Sequence, residues 1–571
     1  GYKPEWNFEK DSKQKTTVAE TKEKEKTVKV SANSEDTTVT LRYQFVLHTK
    51  DGIKYYFNSG GQLILMEENN GSFVIFEHDM KKGVLSAMRT NNNIAVQFIY
   101  YGGTDGTDPL TVKEVRLPDG SRVEYEYTKP AFTSEQLLTK VSEVSGSERI
   151  EYEYEYDKPL LSTQPRNLTV IKDAENKNKY EIKYDFENDQ VKEAVYPNGE
   201  KFVFEYDERG RYTVTKKHSG GEVVLAEKDF FDVISGECEK SIRGIDCETV
   251  LASAGQENLD ITTYEYIDNQ MVSSSQTAEY YAIDDNGYVV KQNGIKTNKT
   301  SYSGDNPVKE TEDDGTVSEY TYYTEEDGEN LDEQIKTVKE TNADGRMTGY
   351  TKYSYDSLGN VTETIEYVEG TKTVNTYYTE GVFKGELKSM TESLIRVSDT
   401  YEILSESVQS RSVYTYAYDT RDGKDVKTES CSQTIYKADG SEDTVVSGNI
   451  YDMMGRLLEE TDSRGYKTIN AYDGFGRVTA TTYKYSDSNQ LKQSTSKEYD
   501  KNGNVTHEVL EDGIEKSYTY NNMGQVTSVT VRKGDGQEET VNTTYRYQDV
   551  EIYQGKGNDT VTVKNAYVTK E

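Results

Sequence analysis

Cysteine, histidine, proline and long apolar runs are all scarce in this chain of 571 residues. Three cysteines, Cys238, Cys247 and Cys431, are too few for a disulfide framework; a Cys238–Cys247 bridge and buried or free thiols both fit. Four histidines, His48, His78, His218 and His507, have no paired metal-ligand spacing, which argues against a histidine-based zinc site. With only 8 prolines and no Gly/Ser-rich stretch, no linker divides the chain, so one continuous architecture is expected rather than beads on a string. No run of about 18 apolar residues exists, so no membrane span is expected. The opening GYKPEWNFEK lacks a basic-then-apolar leader pattern, and its initial Gly1 fits a processed chain or a cut fragment. Aliphatic residues are short as well: the hydrophobic share is 33% and includes 48 Tyr, so one large solid core is excluded. Basic residues are outnumbered, 67 Lys and Arg against 102 Asp and Glu, for a net charge of -35. Nucleic-acid binding through a basic surface and attraction to an anionic membrane are both disfavoured by that balance.

What is abundant is tyrosine in a repeated context. Low hydropathy with high charge suggests disorder, but disordered chains are poor in aromatics and this one is 11% aromatic. Six strings share a spacing: YDERGRY from Tyr206, YDSLGNV from Tyr355, YDMMGRL from Tyr451, YDGFGRV from Tyr472, YDKNGNV from Tyr499 and YNNMGQV from Tyr520. The repeat positions are Tyr206, Asp207 and Gly210; Tyr355, Asp356 and Gly359; Tyr451, Asp452 and Gly455; Tyr472, Asp473 and Gly476; Tyr499, Asp500 and Gly503; Tyr520, Asn521 and Gly524. Each aspartate suits a turn, accepting backbone N–H bonds two or three residues on before glycine completes the corner. A structural role is expected for them, because chemistry seldom needs one residue in every unit. Interleaved with these corners are Asp119-Gly120, Asn198-Gly199, Asp314-Gly315, Asp344-Gly345, Asp439-Gly440 and Asp512-Gly513, which predict two-residue hairpin turns with positive φ at both central positions. Between turns, runs such as RVEYEY ending at Tyr127 and KSYTY ending at Tyr520 alternate with period two, placing tyrosines on one strand face and Glu, Thr or Ser on the other. These rows are expected to form the packed face of a sheet; exposed rows would instead suit stacking on sugars.

The YDxxGR and YDxxGN strings, with the stretch DGIKYYFNSGGQLILME from Asp51 and LTVKEVRLPDGSRVEYEY from Leu110, resemble the YD-repeat, or RHS-repeat, family. That family includes bacterial polymorphic toxins, wall-associated proteins, insecticidal toxin-complex C components and the shells of teneurins. The resemblance spans roughly residues 40 to 550. It implies an all-β fold of spirally wound antiparallel hairpins forming a hollow shell, or an open portion of one, which in complete members encloses a C-terminal polypeptide such as a toxin. Complete bacterial members carry a DPxGL-type self-cleavage string; here Asp108-Pro109 is followed directly by Leu110 and lies at the wrong end, so a shell portion without cargo or self-cleavage is expected.

Five regions are expected. Residues 1–40 form a flexible N-terminal segment and first strand, with that strand near Thr37 to Leu47; residues 41–228 form N-terminal YD-like repeats; residues 229–300 form an irregular insertion; residues 301–550 form the YD-repeat shell; and residues 551–571 form a terminal strand or tail. The break at 381–411 fits a short helix or irregular strands. Acidic strings DDNG from Asp284, EDDG from Glu312 and EEDG from Glu325 match neither an EF-hand nor a β-roll loop and read as solvated turns. No nucleophile elbow, Walker-type loop or Rossmann fingerprint has a suitable context, so no catalytic residue, cofactor or metal ligand is singled out and no enzyme is expected. The functional expectation is a secreted or cell-surface bacterial shell segment that encapsulates and helps deliver a toxin-like cargo absent from this chain. The alternative is an adhesion module binding a surface glycan or protein receptor.

Overall fold

A computed structural model describes residues 17–570 apart from 33–34, 50–52, 69–70, 92, 103–110, 131–135, 158–165, 186, 188, 245–249, 251–259, 268–269, 284–288, 328–330, 332, 485–490, 535 and 554–559. Among the described residues the chain is nearly all-β: 41 strands and one 3₁₀ turn, Glu325–Asp327, with Val250 in helical conformation. Thirty-nine strands join a single antiparallel sheet, each paired with the next along the chain, and the last two, Thr544–Tyr553 and Thr560–Lys570, pair separately. The alternating runs account for this. In Val317–Tyr322, Tyr320 and Tyr322 are half-buried on one face while Glu319 and Thr321 are exposed on the other.

Strands extend into regions that the sequence assigned otherwise. Thr17–Ala32, within the expected flexible start, forms a long hairpin with Glu35–His48, because Thr and Val recur there among the charged residues. Through 229–300 the sheet continues in Glu222–Phe231, Cys238–Gly244, Asp260–Ile267, Gln270–Ile283 and Val289–Ser303. The segment 381–411 carries Leu387–Val397 and the first part of Ile403–Arg421, its Thr, Ser and Val residues favouring strand over helix. Cys238 and Cys431 are free thiols, while Cys247 and the string at Asp284 lie outside the described residues.

The sheet is a single layer. Its accessible surface is 35665 Å², against about 20,000 Å² for a compact globule of this mass. Fully enclosed side chains cluster locally. Near the start, Val28, Val30, Val46, Tyr56, Leu65 and Ile75 pack together; farther on, Ala226, Ile242, Val250 and Ile261 do the same.

The strip winds back on itself with a fixed count. The turn after the fourth strand, Leu63–Glu67, meets the turn after the twenty-seventh, Thr371–Tyr377, where the Lys384 side chain lies 3.2 Å from where a Gly71 Cβ would sit. The turn after the eighth, Val112–Arg116, meets that after the thirty-first, Glu442–Asp452, through Asp119 and Arg456 at 3.5 Å. Ser145, ending the tenth strand, touches Gly474, just past the thirty-third. Asp173 and Ala174, after the twelfth, bond Asn502, after the thirty-fifth. In every case 27 − 4, 31 − 8, 33 − 10 and 35 − 12 give 23 strands per revolution. At about 4.8 Å per strand, such a revolution measures about 110 Å around and about 35 Å across, which leaves an interior about 25 Å wide inside the wall.

Candidate functional site: the corners and the seam

Both corner types are built on one turn. At Asp473 the backbone N–H donates to Arg477 O at 2.9 Å and the Gly476 N–H donates to Asp473 O at 3.2 Å; at Leu117 the same pair of bonds runs to Ser121 O and from Gly120. This is a three-residue turn closed by one left-handed residue, with φ of 81° at Gly476 and 87° at Gly120. The expected two-residue turns are therefore corrected. At Asp119, Asn198, Asp314, Asp344, Asp439 and Asp512 only the following glycine has positive φ. One left-handed position filled by Gly avoids forcing a second one on a residue that resists it. True two-residue turns occur instead at Gly220-Gly221 and Asp422-Gly423.

The acid occupies a different place in each corner type. In the Tyr-led corners it opens the turn and accepts N–H bonds from residues two and four on: Asp473 Oδ1 takes those of Phe475 (2.9 Å) and Arg477 (3.0 Å), and Asp452 Oδ1 takes those of Met454 and Arg456, both at 2.9 Å. The second carboxylate oxygen takes the side chain at that fourth position, Arg477 Nε at 2.7 Å, Arg456 Nε at 2.6 Å, Asn360 Nδ2 on Asp356 at 3.0 Å and Asn504 Nδ2 on Asp500 at 2.9 Å. Where the acid is replaced, Asn521 Nδ2 donates to Gln525 Oε1 at 2.9 Å. In the Gly-ended turns the acid comes third and caps the residue two on, as Asp119 Oδ1 does for the Ser121 N–H at 3.0 Å. Asp207 is held well below the usual carboxylate range by the Arg211 guanidinium. Partial burial pushes Asp473 upward, but the Arg477 N–H, the Arg477 guanidinium and the Phe475 N–H together hold it low.

The corner tyrosine does more than pack. Tyr472 OH donates to Leu457 O at 2.8 Å, Tyr499 OH to Val478 O at 2.7 Å, Tyr520 OH to Val505 O at 2.6 Å, Tyr355 OH to Ile335 O at 2.8 Å and Tyr206 OH to Val191 O at 2.9 Å. Each acceptor begins, or nearly begins, the preceding strand. Strand register shifts by one residue at Tyr355, Tyr451, Tyr472, Tyr499 and Tyr520, so each of these corners carries a bulge that adds twist, and the acceptors Leu457, Val478 and Val505 lie at the bulge of the corner before the one whose hydroxyl they receive. Burial raises the pKa of Tyr206, Tyr355, Tyr499 and Tyr520 and keeps them as donors. Most tyrosines are half-buried, and Tyr101, Tyr206, Tyr401 and Tyr466 are the more exposed among the described residues. This hydroxyl contact was missed in the sequence, although the repeated choice of tyrosine over phenylalanine signalled it.

Chain order sorts the corners. All six Tyr-led corners follow odd-numbered strands, and all six Gly-ended turns named above follow even-numbered ones. In a meander those two sets lie on opposite edges of the strip, so one edge is lined by Tyr-led corners and the other by Gly-ended turns. The winding brings the two edges together. Asp119 of a Gly-ended turn reaches Arg456 of a Tyr-led corner, and Asn502 of a Tyr-led corner accepts the Ala174 N–H at 3.0 Å and donates to Asp173 at 3.1 Å. Among the described residues no group of three or more His, Cys, Asp or Glu is placed to hold a metal, and no helix is long and apolar enough to cross a membrane.

These features define a one-sheet protein wound from hairpins and interlocked edge to edge. Residues 499–538, which hold the Tyr499 and Tyr520 corners, match the RHS Repeat family model, so this stretch of the chain carries an RHS repeat. Solved structures similar to it include a TcdB2-TccC3-Cdc42 complex, at 11% identity over 95% of this chain and 38% of that chain with a TM-score of 0.27. Others are TcdB2-TccC3 without its hypervariable C-terminal region, at 11% identity, 96% and 37% coverage and a TM-score of 0.29, and the Photorhabdus luminescens Tc holotoxin pore, at 11% identity, 96% and 32% coverage and a TM-score of 0.26. The chain thus spans about a third of these proteins' length. No curated protein matches it.

Proposed function

We propose that this chain is a stretch of non-catalytic wall that encloses a polypeptide, a toxin-like cargo carried C-terminal to it, and helps deliver it from a secreted or cell-surface position. The observation that supports this reading is the recurrence of edge contacts every 23 strands, which a flat or randomly folded sheet would not produce. An interior about 25 Å wide admits an unfolded or partly folded chain. Tyrosine hydroxyls bonded to backbone carbonyls keep the wall together without a solid core behind it. The test is limited proteolysis of the full chain with a protease-sensitive polypeptide appended after Glu571. The appended segment is expected to survive about tenfold longer than the same segment free in solution. Equal cleavage in the two settings overturns the reading.

A further inference from the structure

Two kinds of contact hold the wall, and they are unequal. Along the strip each strand is bonded to the next by a backbone ladder, as from Lys467–Tyr472 to Val478–Lys484. Between revolutions no strand pairing crosses among the described residues. Side chains at the corners do the joining: Asp119 to Arg456, Asn502 to Asp173 and to the Ala174 N–H, Ser145 against Gly474 and Lys384 against Gly71. Polar cavities interrupt the line. One of about 490 Å³ is lined by Ser72, Asn91, Lys384 and Asp452, and another of about 470 Å³ by Asp173, Tyr196, Asn502 and Tyr518. These cavities have room for water and ions beside the seam, and its charged contacts are open to screening.

We infer that this seam is a latch along which the wall opens, successive revolutions parting at their edges while every strand pairing stays intact. Asp119–Arg456 and Asp173–Asn502 are its polar fasteners, and Ser145–Gly474 is the point of closest fit between them. Opening of this kind makes a slit between inside and outside without unfolding a strand. Enclosure, as proposed above, supplies what passes through the slit, whereas the latch rests on the contacts alone.

The Ala174 amide reports on the latch, since its acceptor lies across the seam. Hydrogen exchange of the full chain is measured in four settings: wild type at low salt, wild type in 1 M NaCl, Asp119→Asn and Gly474→Ala. A Cβ at position 474 would sit 2.5 Å from Ser145 Cβ, so Gly474→Ala wedges the seam at its closest fit. Asp119→Asn keeps its turn, because Asn198 caps the Glu200 N–H in the equivalent corner at 3.0 Å. Salt, Asp119→Asn and Gly474→Ala are each expected to speed Ala174 exchange about tenfold while Val170 and Ile171, inside the strand, are unchanged. Ala174 exchange that ignores salt and Asp119→Asn, or that moves only together with Val170 and Ile171, overturns the latch. Should Gly474→Ala fail to fold, the salt and Asp119→Asn arms still decide. Failure of enclosure reads out separately, in the proteolysis of the appended segment.

Discussion

Replacing Tyr472 by phenylalanine deletes one oxygen and, with it, the shorter of two side-chain bonds to the Leu457 carbonyl, which keeps the Asn470 Nδ2 donor at 3.1 Å. The ring still packs, so the loss is that of a single partly buried hydrogen bond, about 1 kcal/mol. Tyr451 makes a sharp control: it occupies the same corner position but makes no such bond among the described residues, so Tyr451→Phe is expected to leave the urea midpoint unchanged while Tyr472→Phe lowers it. Asp473 adds a pH dependence. Its carboxyl is held below its unfolded value of about 3.9, so its stabilisation is complete above that value and is lost as pH falls through the folded pKa. Asp473→Asn is expected to flatten that acid limb in urea titrations at successive pH values. The sequence made the aspartate legible, since Asp three residues before Gly is a turn signal that needs nothing beyond its own loop. The repeated tyrosine signalled a hydroxyl contact but not its partner, because the acceptor lies on the preceding strand beside a bulge that no local string announces.

At the scale of the hairpin, the decisive quantity is the left-handed residue. Gly503 has φ of 87° with nothing within 4 Å of where a Cβ would sit, so Gly503→Ala isolates the backbone cost, about 1–2 kcal/mol. That cost is expected as faster amide exchange confined to Asp500–Asn504, with the ladder of Val505–Val509 less affected; uniform acceleration would show instead that the corner and strands open together. Tyr401 is the informative exception. Its turn from Ser398 to Glu402 has the same two backbone bonds, but a tyrosine with φ of 63° stands where glycine stands elsewhere. Its ring packs edge-on against Tyr350 at 4.9 Å and Tyr367 at 5.6 Å, contacts that offset the strained backbone. Turn positions were readable from the Asp-Gly dipeptides, but turn type was not: a dipeptide shows that one residue tolerates positive φ and leaves open how many residues the loop contains.

At the scale of the molecule, the count of 23 strands per revolution is a sum of small twists, and no single hairpin carries it. That is why the sequence, which names the repeat and its alternating edges, leaves the winding number open. Each bulged corner adds twist at one edge, so the revolution depends on how regularly the Tyr-led corners recur. The tight series from Tyr451 to Tyr520 faces the looser early hairpins across the seam. Scattering from the full chain in solution tests the wound wall directly. A compact globule of 571 residues has a radius of gyration of about 25 Å, whereas matter held in a wall around an interior lies farther from its centre. A radius clearly above that value is expected, with the most frequent interatomic distance shifted outward and the Kratky curve still that of a folded protein. A radius at the globular value would mean that the strip has collapsed onto itself, while a large radius with a rising Kratky curve would mean that it has not wound at all.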